Sequence, residues 1–246
     1  VARFAVILPA AGKSTRFHNK AYKKQYAPLD GRAVWLHAAE RFVNRPDVAQ
    51  VILVISPEDR ELFELRFASN VTILGLTVVE GGAERSDSVE KALSKVKPDS
   101  DYVCVHDAAR PCLAEEWVDK VFAAAEKHGA AILATPISGT IKRVGKDDRI
   151  SETVSRDGLW EAQTPQVFRR ELLLEAYAKR AGFQATDDAQ LIERLGRPVA
   201  VVQGSPLNLK IATNQDLRLA EQALKVLPKP KLNAPAHPFA DDHFWR

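Results

Sequence analysis

The 246-residue sequence contains no methionine, only two cysteines (Cys104 and Cys112), and almost no surplus of charge of either sign. Lys and Arg number 35 against 32 Asp and Glu, a net charge of +3. So small an excess argues against a nucleic-acid partner, and any basic site has to be a local cluster. Two cysteines without a C-x-x-C spacing supply neither a disulfide scaffold nor a structural zinc site. They fit a reducing compartment, and a cytoplasmic protein is expected. No apolar run approaches the ~18 residues of a membrane span, so no membrane partner is expected. The amino-terminal residues carry no basic segment or small-residue cleavage site, and a signal peptide is not expected. The Gly-x-Ser-x-Gly elbow of serine hydrolases and the G-x-G-x-x-G dinucleotide fingerprint are both missing. The string Gly12-Lys13-Ser14 stops short of a P-loop, because that motif needs a glycine where Ile7 stands.

Hydrophobic residues make up 46% and charged residues 27%, a balance that supports a packed core. The length suits one large domain with an appendage. Short apolar runs (Phe4 to Leu8, Val51 to Ile55, Leu76 to Val79, Tyr102 to Val105, Ala131 to Ala134) alternate with helix-patterned stretches at 33–43, 57–68, 86–96 and 115–128. Val89, Ala92, Leu93 and Val96, for example, recur at helical spacing. The order predicts an α/β fold, a Rossmann-like, mostly parallel sheet with helices on both faces. The rhythm breaks at 138–160, where two alternating runs flank Gly145-Lys146-Asp147-Asp148. They read as a protruding β-hairpin arm, too poor in apolar residues to stand alone and suited to rest on a second subunit. Helices at 170–181, 187–195 and 215–227 and strands at 199–202 and 208–212 complete a single domain, 1–227. The Pro-rich stretch 228–246 reads as a poorly ordered tail.

In open parallel sheets, ligands bind beyond the carboxyl ends of the strands. Three such ends carry unusual chemistry. After the first strand come Pro9-Ala10-Ala11-Gly12, small residues that let backbone N–H groups approach phosphates. Lys13, Arg16, Lys20, Lys23 and Lys24 follow without an acid, which points to a polyphosphate site. Gly81-Gly82 precedes a helix and leaves room for a base or ribose, with Ser86 or Ser88 placed to cap that helix. Asp107, at the end of a buried strand, needs a partner: Arg110, a substrate hydroxyl or magnesium. His106 has no second histidine at metal-ligand spacing and reads as structural. Cys104 reads as core.

These segments occur in a recognisable order. Leu8-Pro-Ala-Ala-Gly12, Lys24-Gln25-Tyr26, Gly81-Gly82-x-Glu-Arg85, Asp87-Ser88-Val89, His106-Asp-Ala-Ala-Arg-Pro111, Gln163-Thr-Pro-Gln166, Thr186-Asp187 and Leu209-Lys-Ile-Ala-Thr213 together resemble the 2-C-methyl-D-erythritol 4-phosphate cytidylyltransferases of the non-mevalonate isoprenoid pathway. The resemblance spans residues 3 to about 225. It implies the nucleotide-diphospho-sugar transferase type of fold, a homodimer formed through the 138–160 arm, a divalent cation, usually Mg2+, and CTP and methylerythritol phosphate as substrates. Residue by residue, it implies that Arg16 and Lys24 stabilise charge around the α-phosphate. Ala10, Ala11, Gly12, Gly81, Gly82, Ser88 and Ala108 would contact the nucleotide. Asp107 would face substrate and metal, beside Arg110. Thr140 and Arg156 would reach the partner subunit's substrate, and Arg156 counts among the catalytic set. Thr186 and Lys210 would be further substrate contacts, with Lys210, also among the catalytic set, holding the attacking phosphate. The sequence departs from the family's usual pattern at Ser14 (usually Gly), Lys23 (usually Pro) and Ala83 (often acidic). Ribitol 5-phosphate cytidylyltransferase and a non-catalytic nucleotide-binding regulator are the alternatives.

Overall fold

The structure, a computed structural model, describes residues 2–17 and 22–228. Lys20 of the basic segment lies outside the described residues, as does the expected tail apart from Pro228. In chain order the elements begin with β1 (Phe4–Pro9), a two-stranded ribbon of β2 (Pro28–Leu29) and β3 (Arg32–Ala33), α1 (Val34–Val43), β4 (Val48–Ile55), α2 (Arg60–Leu74) and β5 (Thr77–Glu80). Then follow α3 (Arg85–Leu93), β6 (Tyr102–Val105), α4 (Glu115–His128), β7 (Ala130–Pro136), β8 (Ile141–Val144), β9 (Ile150–Val154) and β10 (Trp160–Arg169). The last elements are α5 (Arg170–Ala178), α6 (Ala189–Arg194), β11 (Ala200–Gln203) and α7 (Asn214–Val226).

Seven strands form one sheet in the order β11-β7-β10-β6-β1-β4-β5. Neighbours pair in parallel except β10, which runs antiparallel between β6 and β7. Side chains alternate between the two faces with period two. Phe4, Val6 and Leu8 meet Trp35 and Phe42 of α1, Phe63 of α2 and Trp117 and Val121 of α4. Ala5 and Ile7 meet Val89 and Leu93 of α3, Leu173 of α5 and Ile192 of α6. Burial on both faces explains why β1, β4 and β6 read as unbroken apolar runs. The amphipathic α7 packs separately, its Ala220 and Ala223 against Phe17, Leu29 and Ile211. Its start is fixed by a capping box: the Asp216 carboxylate accepts the Thr213 N–H at 2.8 Å, and the Thr213 hydroxyl accepts the Asp216 N–H at 3.3 Å.

The mostly parallel α/β sheet is the expected one, with three corrections. Residues 208–212 are not a strand: Ile211 N–H turns to the Ala109 carbonyl at 2.8 Å, and the segment runs as a loop beside the site. The 57–68 helix is a 3-10 turn over Pro57–Asp59 followed by the longer α2, which ends where Gly75 takes the left-handed φ of 63°. Most consequential is β10, which the sequence pattern does not announce. Pro165 argues against a central strand, and the pairing with β7 slips between Ala162 and Gln166, where that proline sits. Within 138–160, β8 pairs antiparallel with β9 as a hairpin, and their side chains are largely exposed.

Phe42 is fully buried, and its ring centroid lies 5.5 Å from that of His106. We expect Phe42→Ala to destabilise the fold by about 3–5 kcal/mol, read as a shift of the urea midpoint at unchanged slope.

Candidate active site

The carboxyl ends of β1, β5 and β6 converge on a pocket of about 360 Å³. Its walls are Pro9 to Lys13 and Thr15, Lys24 and Gln25, Gly82 to Arg85, Ser88, Asp107, Ala109 and Lys210. Each wall has a local reason for its shape. Gln25 is buried and donates through Nε2 to the Ala10 carbonyl at 2.7 Å, fixing the small-residue loop from behind. Close approach requires the glycine pair. A Cβ on Gly81 would fall 2.7 Å from both Ala11 Cβ and Ser88 Oγ, and one on Gly82 would fall 2.4 Å from Asp87 Cβ. Gly12 is different: a Cβ there meets nothing within 4 Å, so protein packing does not demand it. The α3 N-cap is Glu84, whose N–H is taken by Asp87 at 3.1 Å, rather than a serine. Ser88 instead accepts the Gly82 N–H at 3.0 Å and donates to the Glu84 carbonyl at 3.0 Å, shaping the loop from inside.

Asp107 is the anion at the pocket floor. Its Oδ2 lies 2.6 Å from Lys210 Nζ and its Oδ1 3.2 Å from Arg85 Nε. Burial opposes its charge, but Arg85, Lys210 and then Arg110 outweigh burial and hold the carboxyl well below the usual carboxylate range. Arg110 is not its direct partner. The Arg110 guanidinium donates to the Asn208 carbonyl at 2.6 Å and lines an adjoining cavity of about 670 Å³, which Lys210 also borders. Arg85 spans two carboxylates, since its Nη2 lies 2.8 Å from Asp188, a fully buried acid that also accepts from Tyr177 at 2.6 Å. Their charges raise the Arg85 pKa against the opposing effect of burial. Lys24 is half-buried. Burial first, then Lys210 and Arg16, lower its pKa against the pull of Asp107 and Asp216.

β10 supplies the remaining framework. Thr164 Oγ1 accepts the Asp107 N–H at 3.0 Å and sits 3.1 Å from His106 Nδ1, while His106 Nε2 lies 3.0 Å from the Arg110 carbonyl. Burial lowers the His106 pKa to about 4, so the ring is neutral and structural. Gln166 donates to Asp187 at 2.8 Å and accepts the Asp188 and Ala189 N–H groups, each at 3.1 Å. Cys104 and Cys112 are buried free thiols; burial pushes the Cys112 pKa up to about 12.

Of the expected residues, Ala10, Ala11, Gly12, Lys24, Gly82, Ser88, Asp107 and Lys210 share the pocket. Arg16 is exposed nearby. Gly81 lies just behind, its N–H bonded to the Ile55 carbonyl at 2.7 Å. Ala108 is fully buried, and its neighbour Ala109 takes the wall position expected of it. Thr186 lies outside the pocket wall and bonds to Gln190. Thr140 and Arg156 stand exposed on the arm, where Arg156 donates to the Ser138 carbonyl. Arg85, Gln25, Thr164 and Asp188 were not expected as site residues. Arg85, Gln25 and Thr164 lie inside the motifs Gly81-Gly82-x-Glu-Arg85, Lys24-Gln25-Tyr26 and Gln163-Thr-Pro-Gln166. The adjacent acids Asp187-Asp188, one of them buried, are a signal that could have been read.

No three His, Cys, Asp or Glu side chains cluster as a metal cage among the described residues. No helix of the described residues is long and apolar enough to cross a membrane. A mostly parallel sheet with Lys24, Arg85 and Lys210 gathered around one carboxylate beyond its strand ends, beside a small-residue loop, defines an α/β nucleotidyltransferase. The family model described as 2-C-methyl-D-erythritol 4-phosphate cytidylyltransferase matches residues 4–226. The protein of that name from Rhodopirellula baltica is 44% identical over 234 residues, covering 91% of this chain and 95% of that one. A bifunctional IspD/IspF enzyme from Rhodospirillum rubrum is 43% identical, and there the match covers 92% of this chain but 58% of the relative. The crystal structure of the Thermus thermophilus cytidylyltransferase superposes with a TM-score of 0.74 at 35% identity, covering 92% of this chain and all of that one. The chain belongs to the 2-C-methyl-D-erythritol 4-phosphate cytidylyltransferase family.

Removing Arg85 leaves the buried Asp188 without its cation. We expect Arg85→Ala to cost about 3–5 kcal/mol of stability in urea unfolding, with Arg85→Lys in between, since an ammonium cannot span both carboxylates in the same way.

Proposed function

We propose that the pocket transfers CMP from CTP to 2-C-methyl-D-erythritol 4-phosphate, releasing pyrophosphate. The observation that carries this reading is the concentration of Lys24, Arg85 and Lys210 around Asp107 at the strand ends, in a chain of this family. A phosphate monoester has a second pKa of ~6 and is mostly a dianion at neutral pH, so it attacks without a general base. One of its oxygens bonds to the α-phosphorus of CTP as the bond to the β-phosphate oxygen breaks, and pyrophosphate leaves with that electron pair. The difficulty is to bring two anions together and to stabilise charge on the transferring phosphoryl group. Lys24, on the pocket wall, and Arg16, exposed on the loop that borders it, would meet the α-phosphate. Lys210, between the pocket and the adjoining cavity, suits the incoming phosphate, and Arg110 borders the cavity where the methylerythritol part would lie. His106 and the cysteines take no part, being buried and neutral.

Magnesium fits the donor set in one form. It commonly binds through one or two carboxylates plus substrate phosphates, and Asp107 supplies one such carboxylate at the floor. When bound with the nucleotide, it would supply positive charge to the phosphates.

The same reading treats 1–227 as one nucleotidyltransferase domain acting in the cytoplasm, and the 138–160 arm as a homodimer contact that presents Thr140 and Arg156 to the partner subunit's substrate. Exposed apolar side chains along the arm, among them Val144, Ile150 and Trp160, support that role. Thr186 is placed with the substrate contacts by resemblance alone.

Pyrophosphate release with magnesium tests the reading, with CTP, ATP, GTP and UTP each paired with methylerythritol phosphate and ribitol phosphate. We expect release only with CTP and methylerythritol phosphate. Release with ribitol phosphate instead would move the substrate, and no release from a folded, CTP-binding protein would favour a regulator. Lys24→Ala should lower turnover by about 10²–10³; near-wild-type turnover would remove Lys24 from the mechanism.

A further inference from the structure

Ser14 holds a backbone conformation that serine rarely adopts. Its φ is 56°, in the left-handed region that favours glycine. Such a residue persists where its surroundings hold it in place: its carbonyl accepts the Phe17 N–H at 2.9 Å, and its hydroxyl bonds across to a neighbouring turn. Ser14 Oγ accepts the Lys24 backbone N–H at 3.2 Å and donates to Gln25 Oε1 at 3.1 Å. Gln25 in turn donates to the Ala10 carbonyl. One hydroxyl therefore joins the phosphate-facing loop to the 3-10 turn Lys24–Tyr26 that carries Lys24. A second tether lies on the other side of the turn. Lys23 Nζ is 2.7 Å from Oδ1 of the buried Asp59, and also within 3.8 Å of Glu58. The Lys24 ammonium itself makes no ion pair among the described residues, so its place is set by the backbone beneath it. Lysine is a point charge on a flexible stem, and electrostatic stabilisation of a transferring phosphoryl group depends on fixing such a charge beforehand.

We propose that Ser14 is a positioning residue for Lys24, clamping the turn that bears it, with the Lys23–Asp59 pair as the second point of the clamp. The inference rests on the role assigned to Lys24 above.

Two substitutions separate the hydroxyl from the strain. Ser14→Gly removes the hydroxyl and relieves the left-handed backbone, so a folding defect is not expected. Ser14→Ala removes the hydroxyl and keeps the strain. Hydrogen exchange of the Lys24 amide, followed by NMR, reads the bond directly and needs no activity. We expect protection in the wild type and exchange at least about tenfold faster in both variants. In pyrophosphate release we expect kcat to fall about tenfold in both, with the KM for CTP changing less than about twofold. Asp59→Asn should give a smaller fall of the same kind. An unprotected Lys24 amide in the wild type, or a wild-type kcat in Ser14→Gly, would overturn the proposal. If the wild type releases no pyrophosphate, the functional reading fails on its own, and the exchange measurement still decides the clamp.

Discussion

A carboxylate at the buried end of a central strand is costly unless cations surround it, and Asp107 is compensated by two direct partners from different parts of the chain. Arg85 comes from the first turn of α3 and Lys210 from the loop before α7. Arg85 reaches on to Asp188 at the start of α6. One buried charge therefore ties β6, α3, α6 and the 205–213 loop into a single electrostatic unit. The unit is not self-sufficient as a stabilising device, because buried ion pairs often contribute little net stability once desolvation is counted. What it does is fix cations where a free lysine or arginine side chain would wander, and fixed cations are what phosphoryl transfer uses.

The antiparallel strand β10 makes this arrangement possible. A sheet of parallel strands alone would bring only its strand ends to the site. Because β10 runs the other way, residues 163–166 pass the end of β6, so that Thr164 caps the Asp107 N–H and Gln166 holds the start of α6. Asn208 closes the far side, donating to the Thr164 carbonyl at 2.8 Å and to Gln163 Oε1 at 3.3 Å. The site is assembled from pieces distant in sequence, and polar side chains of one strand register them against each other.

That assembly explains what was legible in the sequence. Apolar runs such as Phe4 to Leu8 announce a strand buried on both faces, and helical spacing such as Val89, Ala92, Leu93 announces its covering helix. The small-residue loop and its run of cations announce an anion site. β10 was hidden because Pro165 interrupts it and because Gln163, Thr164 and Gln166 are polar residues inside a strand; their burial follows from tertiary bonds, not from periodicity. Residues 208–212 look like a strand because Leu209 and Ile211 alternate, yet Ile211 packs under α7 and bonds to Ala109. The direct cation partners of Asp107 were hidden for the same reason. Arg110, three residues from Asp107, was the one cation the local sequence offered beside a substrate hydroxyl or magnesium, whereas Arg85 and Lys210 reach it through the fold.

The central claim is that geometry, rather than the sum of positive charge, makes the pocket active. Asp107→Asn sets the two against each other: it adds one unit of positive charge to the pocket while releasing Lys210 and Arg85 from their anchor, and saturating magnesium in the assay offsets the loss of the carboxylate that would hold the metal. The measurement is turnover of CTP with methylerythritol phosphate, alongside CTP affinity by calorimetry. The account requires kcat to fall by at least about a hundredfold while CTP binds as tightly as before or more tightly. Turnover that holds or rises with the added charge would contradict it.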